Sequence, residues 1–281
     1  MNSINYPRIC VVLIIMNTLI ICIERNQKMN NHNEQKRSHC FVAKDRHGAT
    51  INLEWHKTNV VSHDFAADMK NVWPFARDAY VPVEMEFLKQ FPQVVGDEAY
   101  FKPFEPLFSD GVEQVDWNAA TATMESILQG HFIFDPAQLP EQVIAMFAHD
   151  DCFFVAAKDG ATEQILGFIT FLMRASYAAG DIKVMSFAVA QSHQNRGIGK
   201  LLMSSIFKIV PDIKRIFLCT RVTNGTALKA YSSWGFVTDK NPVLDHAFNL
   251  AHWSFMEYKT TESDILQKVA QTLTEQTKMI K

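Results

Sequence analysis

One segment in the second half of the chain limits the possible folds more than any other. Residues 182–190 (IKVMSFAVA) have the length and the mostly apolar character of a buried strand. Over residues 197–209, apolar side chains recur at the spacing of an amphipathic helix. Gly197 and Gly199 stand at the junction, where residues without a Cβ allow a tight turn and a close approach to a ligand. The segment therefore predicts a strand, a turn and a helix of an α/β protein.

The turn between this strand and this helix is typical of an anion site. The first N–H groups of a helix lack partners, and the positive end of the helix dipole favours phosphate. Arg196 and Lys200 add positive charge at the same place. Neither common glycine motif fits, because Leu201 stands where a Walker motif needs Ser or Thr, and Leu202 where a Rossmann motif needs Gly.

The surrounding sequence supplies the other elements of an α/β sheet. Strands are predicted at residues 51–55, 152–157, 165–173, 216–221, 236–237 and 252–258, and helices at 65–80, 118–129, 140–148 and 226–233. Pro74 must end or kink the helix at 65–80. The irregular stretch at 91–116 fits both an active-site loop and a surface insertion. A ligand crevice is expected where neighbouring strands part.

Composition excludes several classes of protein. Because 48% of the residues are apolar, the chain can bury a core and is not wholly disordered. The 27 basic and 30 acidic residues leave a net charge of -3 without a basic field, so we expect no nucleic-acid partner. The five cysteines include no C-x-x-C pair and the ten histidines no H-E-x-x-H motif. We therefore expect neither a disulfide framework nor a metal site.

Residues 1–38 are interpreted as a hydrophobic leader followed by a polar linker. The apolar run at 9–23 is shorter than the ~20 residues of a spanning helix, and no small-residue cleavage site follows it. If the run inserts, the basic residues behind it outnumber those ahead of it, which keeps the main domain on the cytoplasmic side. The alternative is that translation begins near Met29. In both cases the domain is expected to be cytoplasmic, with membrane contact only if residues 9–23 insert.

Two motifs give the sequence a resemblance to a known family. The turn reads Gln-x-x-Gly-x-Gly, as Gln194, Gly197 and Gly199. The second motif follows the next strand and has all five positions of its pattern: Asn224, Ala227, Tyr231, Gly235 and Phe236. With both motifs, the chain resembles the GNAT (Gcn5-related) N-acetyltransferase superfamily over about residues 153–258, and more weakly back to residue 51.

The resemblance implies a fold and a co-substrate. The fold is a central mixed, splayed β-sheet flanked by helices, here a single domain at residues 49–260. The co-substrate is acetyl-CoA, without a metal, and its pyrophosphate would lie on the turn: Gln194, Asn195, Arg196, Gly197, Ile198, Gly199 and Lys200. The preceding strand would hold the pantetheine arm through the backbone of Phe187, Ala188 and Val189, and Asn224 would reach the pantetheine or the acyl group. Apart from the resemblance, apolar residues every four positions predict a C-terminal amphipathic helix in 261–281.

The resemblance also implies transfer of the acetyl group to a primary amine, which attacks the thioester directly in a ternary complex. Tyr231 would be the general acid that protonates the departing thiolate. Many members carry a glutamate on the central strand where this chain has Lys183. The base is therefore left open: Ser186 could order a water, and His131, Glu84 or Glu86 could approach from the N-terminal half. An amine that binds in its free form would need no base.

The acceptor is either a small-molecule amine or a protein or peptide amine, and a homodimer is compatible with the sequence. The alternative function is a catalytically silent acyl-CoA-binding module, because the strand glutamate is missing. Cys219 is interpreted as a packing residue. Five aromatic side chains are interpreted as core rather than as an acceptor pocket: Trp55, Trp73, Trp117, Phe132 and Phe134.

Overall fold

A single mixed sheet organises the computed structural model, which describes residues 39–59, 62–97, 99–139, 150–242, 250–261 and 264–277. The strands in these ranges are β1 (His39–Lys44), β2 (Thr50–Thr58), β3 (Asp151–Asp159), β4 (Ile165–Met173), β5 (Asp181–Val189), β6 (Arg215–Arg221), β7 (Val237–Thr238), β8 (Trp253–Lys259) and β9 (Thr274–Thr277). The α-helices are α1 (His63–Gln90), α2 (Val94–Asp97), α3 (Trp117–Phe132), α4 (Ile198–Ile209), α5 (Gly225–Ser233) and α6 (Ile265–Gln271). Short 3-10 turns lie at Ala99–Leu107, Val112–Gln114, Pro136–Gln138, Gln191–His193 and Leu250–His252.

The order of the strands leaves one opening in the sheet. The order is β7-β8-β6-β5-β4-β3-β2-β1-β9, and all neighbours are antiparallel except β5 and β6. β5 and β6 pair only from Asp181 with Arg215 to Lys183 with Phe217, after which the two strands part. A bulge between β4 and β5 begins just beyond this point, since Thr170 faces Ser186 whereas Phe171 faces Val184. The predicted mixed, splayed sheet of the GNAT fold is confirmed.

Helices cover both faces of the sheet. Because side chains alternate along a strand, Ile169 of β4 faces one side and Phe168 the other. On the first face α4 packs through buried apolar side chains: Ile198, Leu202 and Ile206. On the second face α1 packs in the same way: Phe65, Met69 and Val72. The core thus contains the apolar side chains that recur with strand and helix periodicity in the sequence.

Helix α1 is longer than predicted. Ser62 caps it by accepting a hydrogen bond from the N–H of Phe65, and it continues through Pro74 and Pro82 to Gln90. Of the two effects predicted for Pro74, an end of the helix is therefore excluded, and a kink stays a prediction. Each proline removes one helical hydrogen bond, but buried residues on both sides of Pro74, such as Val72 and Ala76, bind the helix to its neighbours.

The stretch at 91–116 is a packed part of the fold. Val94, Phe101 and Phe104 are fully buried in a cluster with the second half of α1 and with α3. Tyr100 of this stretch also lines the cavity described below, and the choice between the two interpretations stays a prediction.

The two ends of the described chain differ from the prediction. The tail forms the short helix α6 and then β9, which pairs with β1, so a single helix over 261–281 is wrong. Leu273, whose spacing suggested that helix, is buried beyond its end. Residues 39–48, for which no element was predicted, contain the strand β1. The predicted helix at 140–148 and the leader at 1–38 lie outside the described residues. No described helix has the length and apolar character needed to cross a membrane.

Candidate active site

The opening between β5 and β6 leads into one large cavity. Its volume is about 1310 Å³, and its walls come from both strands, the glycine turn, α1, α3 and α5. Such a volume is above the usual range for a single drug-sized ligand, ~300–1,000 Å³, and suits a long molecule or two molecules side by side.

The glycine turn forms one end of this cavity. Gly197 precedes α4 with a φ of +88°, a left-handed conformation that glycine adopts without strain. The first helical bond of α4 runs from the N–H of Leu201 to the carbonyl of Gly197, 3.1 Å. The N–H groups of Ile198, Gly199 and Lys200 therefore stand at the open start of the helix, as an anion site requires.

Gly199 is needed for a different reason than the sequence suggested. A Cβ at this position would lie 3.1 Å from Cζ of Phe187 and 3.2 Å from Cη2 of Trp234. The close approach at Gly199 is thus to two aromatic rings, and the glycine lets α4 pack against them.

Part of the positive charge beside the turn comes from a residue that sequence reasoning missed. Arg196 binds the carboxylate of Asp45, with Nε at 2.7 Å and Nη2 at 2.6 Å from Oδ2. Arg196 is the one residue of the predicted set 194–200 that does not line the cavity. Arg46, in the connection between β1 and β2, lines it instead. No periodicity or motif marks Arg46, since its position depends on a contact about 150 residues away in sequence.

The end of β5 forms the floor of the cavity, and Phe187, Ala188 and Val189 all line it as predicted. The hydroxyl of Tyr80 on α1 donates to the carbonyl of Phe187 at 3.2 Å and accepts from its N–H at 2.9 Å. Because alternate residues of an antiparallel ladder point their polar groups away from the neighbouring strand, Val189 directs its N–H toward the same opening as Phe187. The carbonyl of Val189 accepts from Nε2 of Gln194 at 3.2 Å.

Tyr231 projects from α5 into the cavity. Its ring lies among those of Phe187, Trp234 and Phe236, with centroids 5.7–6.3 Å away, and only 7% of the residue is exposed. No group among the described residues forms a hydrogen bond with its hydroxyl. Burial raises the pKa of Tyr231 well above its ordinary value, with smaller contributions from Tyr80 and Cys219. The phenol therefore carries its proton at neutral pH, which a general acid must do.

Asn224 lines the cavity but already has partners. Its side chain caps α5, since Oδ1 accepts from the N–H of Ala227 at 3.2 Å. Its amide Nδ2 donates to Oγ1 of Thr220 at 3.0 Å. Asparagine in the second motif is thus explained first by helix capping, and its role toward pantetheine stays a prediction.

The two glutamates considered as bases have other partners. Glu84 is buried and lines the cavity, where Arg221 donates to both its oxygens at 2.9–3.1 Å. The guanidinium of Arg221 lies 4.1 Å from the ring centroids of Phe87 and Trp253. Glu86 is exposed, accepts from Gln90 at 2.7 Å, and does not line the cavity.

The remaining candidates border the cavity. His131 is buried, and burial lowers its pKa to about 4, so its imidazole is neutral at pH 7. Ser186 lines the cavity, and its backbone N–H donates to Oγ1 of Thr170 at 3.1 Å. Lys183 is a buried lining residue, and Cys219, interpreted as packing, also lines the cavity.

The aromatic residues of the first half lie mainly in the core clusters. Trp55, Trp73, Trp117 and Phe134 pack against buried side chains and do not line the cavity. Phe132 also packs in a core cluster, between α1 and the sheet, but unlike the other four it borders the cavity.

We compared the sequence with models of known protein families. The model of the acetyltransferase (GNAT) family matches residues 120–236. No curated protein matches the chain.

Several solved structures are similar to the chain at low identity. The PaiA N-acetyltransferase from Thermoplasma acidophilum in complex with coenzyme A is 15% identical, with a TM-score of 0.42 and 74% of this chain and 98% of that chain covered. A mutant spermidine N-acetyltransferase SpeG from Vibrio cholerae is 19% identical, with a TM-score of 0.32 and coverages of 46% and 75%. The ribosomal-protein-S18-alanine N-acetyltransferase from Escherichia coli is 16% identical, with a TM-score of 0.30 and coverages of 38% and 67%.

The family match spans both motifs, the glycine turn and the second motif that contains Tyr231. It supports an acetyl-CoA-dependent acetyltransferase in general terms. The resemblance drawn from the motifs is confirmed by this match to the GNAT acetyltransferase family over residues 120–236.

Proposed function

We propose that the protein transfers an acetyl group from acetyl-CoA to a primary amine, by direct attack of the amine within a ternary complex. One observation carries the proposal: a single cavity joins the open start of α4, the parted ends of β5 and β6, and the buried phenol of Tyr231. These are an anion site, a strand edge that has parted from its neighbouring strand, and a protonated acid. Transfer from a thioester needs all three in one place.

The turn fits a pyrophosphate group. Ile198, Gly199 and Lys200 would donate their N–H groups to it, and the helix dipole of the 12-residue α4 would favour its charge. The side chain of Lys200 also lines the cavity and adds a positive charge.

The edge of β5 would hold the pantetheine arm and polarise the thioester carbonyl. Phe187 and Val189 both direct their N–H groups toward the opening, but the hydroxyl of Tyr80 already binds that of Phe187. Val189 is therefore the backbone donor we assign to the ligand first. Binding at Phe187 would require Tyr80 to turn away.

Tyr231 would protonate the departing thiolate. Its hydroxyl has no competing partner among the described residues, and burial keeps the phenol protonated. On the amine side, Glu84 is engaged with Arg221 and the neutral His131 has a pKa of about 4, which makes each a poor base at pH 7. Because neither side chain is a good base, we expect an acceptor that enters the cavity as the free amine rather than as an ammonium ion.

The charge of the lining narrows the class of acceptor. Among the described residues, the carboxylates that line the cavity are Asp78 and Glu84. Asp78 is paired with Arg77 at 2.9 Å and Glu84 with Arg221 at 2.9 Å. A polycation needs carboxylates that are not already paired, so we expect an acceptor with one amine rather than a polyamine or an aminoglycoside.

A silent acyl-CoA-binding module is the second candidate. It is favoured by Lys183, which occupies the strand position where many members carry a glutamate. Such a module would bind acetyl-CoA and release no CoA thiol in the presence of amines.

The test combines calorimetric titration of acetyl-CoA into the full chain with a thiol-release assay against amines. The panel would contain amino acids, peptides and polyamines. The Tyr231→Phe variant should bind acetyl-CoA within about threefold of the wild type and lose at least tenfold in turnover, since general acid catalysis contributes about 10²–10⁴-fold. The control is Tyr177→Phe, a buried tyrosine that does not line the cavity. Binding without turnover would favour the silent module, and no binding by a folded wild type would refute both functions.

A further inference from the structure

The connection between β1 and β2 is joined to the phosphate-binding turn, although the two lie about 150 residues apart in sequence. The backbone N–H of Arg46 donates to the carbonyl of Arg196 at 2.9 Å. The side chain of Arg46 donates from Nη1 to the carbonyl of Asn195 at 3.4 Å. We refer to residues 45–49 as the β1–β2 turn. It lies outside the segment matched by the family, and one of its residues, Arg46, lines the cavity that also includes the start of α4.

Two of the charged groups at this junction, Asp45 and Arg196, form an ion pair, and Arg46 is a cation outside that pair. The carboxylate of Asp45 is fully buried and binds Arg196, while it also accepts from the N–H groups of His47 and Ala49 at 2.9 Å. Burial raises the pKa of Asp45, but these hydrogen bonds outweigh burial and lower it. Asp45 is therefore ionised at neutral pH and balances Arg196. The positive charge of Arg196 supports the turn rather than a ligand.

Arg46 has the role that the sequence analysis predicted for Arg196, a positive charge beside the turn that faces the cavity. It is exposed, and its Cγ and Nε would lie 3.3 and 3.6 Å from a Cβ placed on Gly197. The side chain thus runs along the surface of the turn, with Nη1 near the carbonyl of Asn195, and it lines the cavity. Arginine presents several N–H donors in a planar fork that matches phosphate oxygens.

We propose that Arg46 binds a phosphate group of acetyl-CoA, so that the β1–β2 turn supplies a phosphate ligand in addition to the backbone of α4. The inference rests on the proposed function, since it concerns the same cavity. Two phosphates share this chemistry, the pyrophosphate and the 3′-phosphate of the nucleotide. Lys200 and the exposed Lys229 of α5 line the same cavity and are further cations for a phosphate.

The test is calorimetric titration of acetyl-CoA and of dephospho-CoA, which lacks the 3′-phosphate, into the full chain. Arg46→Gln should raise the Kd for acetyl-CoA about tenfold, the loss expected for one charge-assisted hydrogen bond. Arg46→Lys should recover part of the affinity, since a lysine keeps the charge but not the fork. The loss should shrink at high ionic strength, because Arg46 is exposed.

Lys44→Ala is the matched control. It removes one positive charge two residues away, on the same hairpin, from a side chain that does not line the cavity. We expect its Kd to stay within twofold of the wild type. Melting temperatures of all variants check that the hairpin remains folded.

The outcomes separate the inference from the function on which it rests. If Arg46→Gln weakens acetyl-CoA and dephospho-CoA equally, Arg46 binds the pyrophosphate, and if only acetyl-CoA is weakened, it binds the 3′-phosphate. If Arg46→Gln binds both like the wild type, or if Lys44→Ala loses as much, the inference is wrong while acetyl-CoA binding stands. If the folded wild type binds neither ligand, the proposed function fails first.

Discussion

Replacing Glu84 by Gln would test whether this residue has a structural or a catalytic role. The residue is 7% exposed and its partner Arg221 is 4% exposed, so the substitution removes a carboxylate that binds a buried guanidinium. Breaking a buried ion pair on one side costs about 3–5 kcal/mol. The new amide can still accept one hydrogen bond, worth about 1 kcal/mol. We therefore expect a loss of about 2–4 kcal/mol in the free energy of unfolding, roughly 4–16 °C in Tm.

Urea denaturation of the wild type and three variants measures this loss. Glu86→Gln makes the same change on the same helix at an exposed position and should stay within about 0.5 kcal/mol of the wild type. A double variant, Glu84→Leu with Arg221→Met, removes both charges and should be more stable than Glu84→Gln alone. Where Glu84→Gln remains folded, it should keep its turnover. Full stability together with abolished turnover would refute the structural reasoning and make Glu84 the base.

Two further substitutions and one control variant test the packing and the electrostatics of the site. Gly199→Ala places a Cβ 3.1 Å from the ring of Phe187, so it should cost about 1–3 kcal/mol by overpacking and weaken acetyl-CoA binding. The control is Gly225→Ala at the start of α5, where a Cβ meets nothing within 4 Å, and it should be neutral or stabilising. Stability is measured by urea denaturation and acetyl-CoA binding by calorimetry. If Gly225→Ala loses as much as Gly199→Ala in both measurements, the packing explanation is wrong. His131 has a pKa of about 4 in the folded protein against an ordinary 6.5, so the unfolded chain binds its proton first and stability falls as pH drops from 6.5 toward 4. His131→Leu should flatten that fall by up to about 1.4 kcal/mol per pH unit, as measured by urea denaturation at pH 7, 5.5 and 4.5, and an unchanged slope would show that His131 is not the group responsible.

Local patterns in the sequence predicted the centre of the fold. The strands β3 to β6 and the helices α4 and α5 carry strong apolar periodicity and clear turns, and each lies where it was expected. The glycine turn and Tyr231 were found because both motifs are short and continuous in sequence. The order of the strands brings both into one cavity.

Features that depend on long-range contacts were not predicted. The strand β9 is polar, with the sequence TEQT, and is a strand only because β1 supplies its hydrogen bonds. Arg46 and Asp45 have no local signal, since their partners lie in the turn about 150 residues later. The continuation of α1 beyond Pro74 depends on tertiary packing, which overrides the local preference of proline.

The pairing of Tyr80 with Phe187 has a consequence for amide hydrogen exchange. The N–H of Phe187 faces the opening of the sheet, where a strand amide without a partner would exchange freely with solvent. Its protection comes from a side chain on α1, 107 residues earlier in the chain. The exchange rate of this one amide therefore reports how often α1 separates from the edge of β5, and it does so at the floor of the cavity.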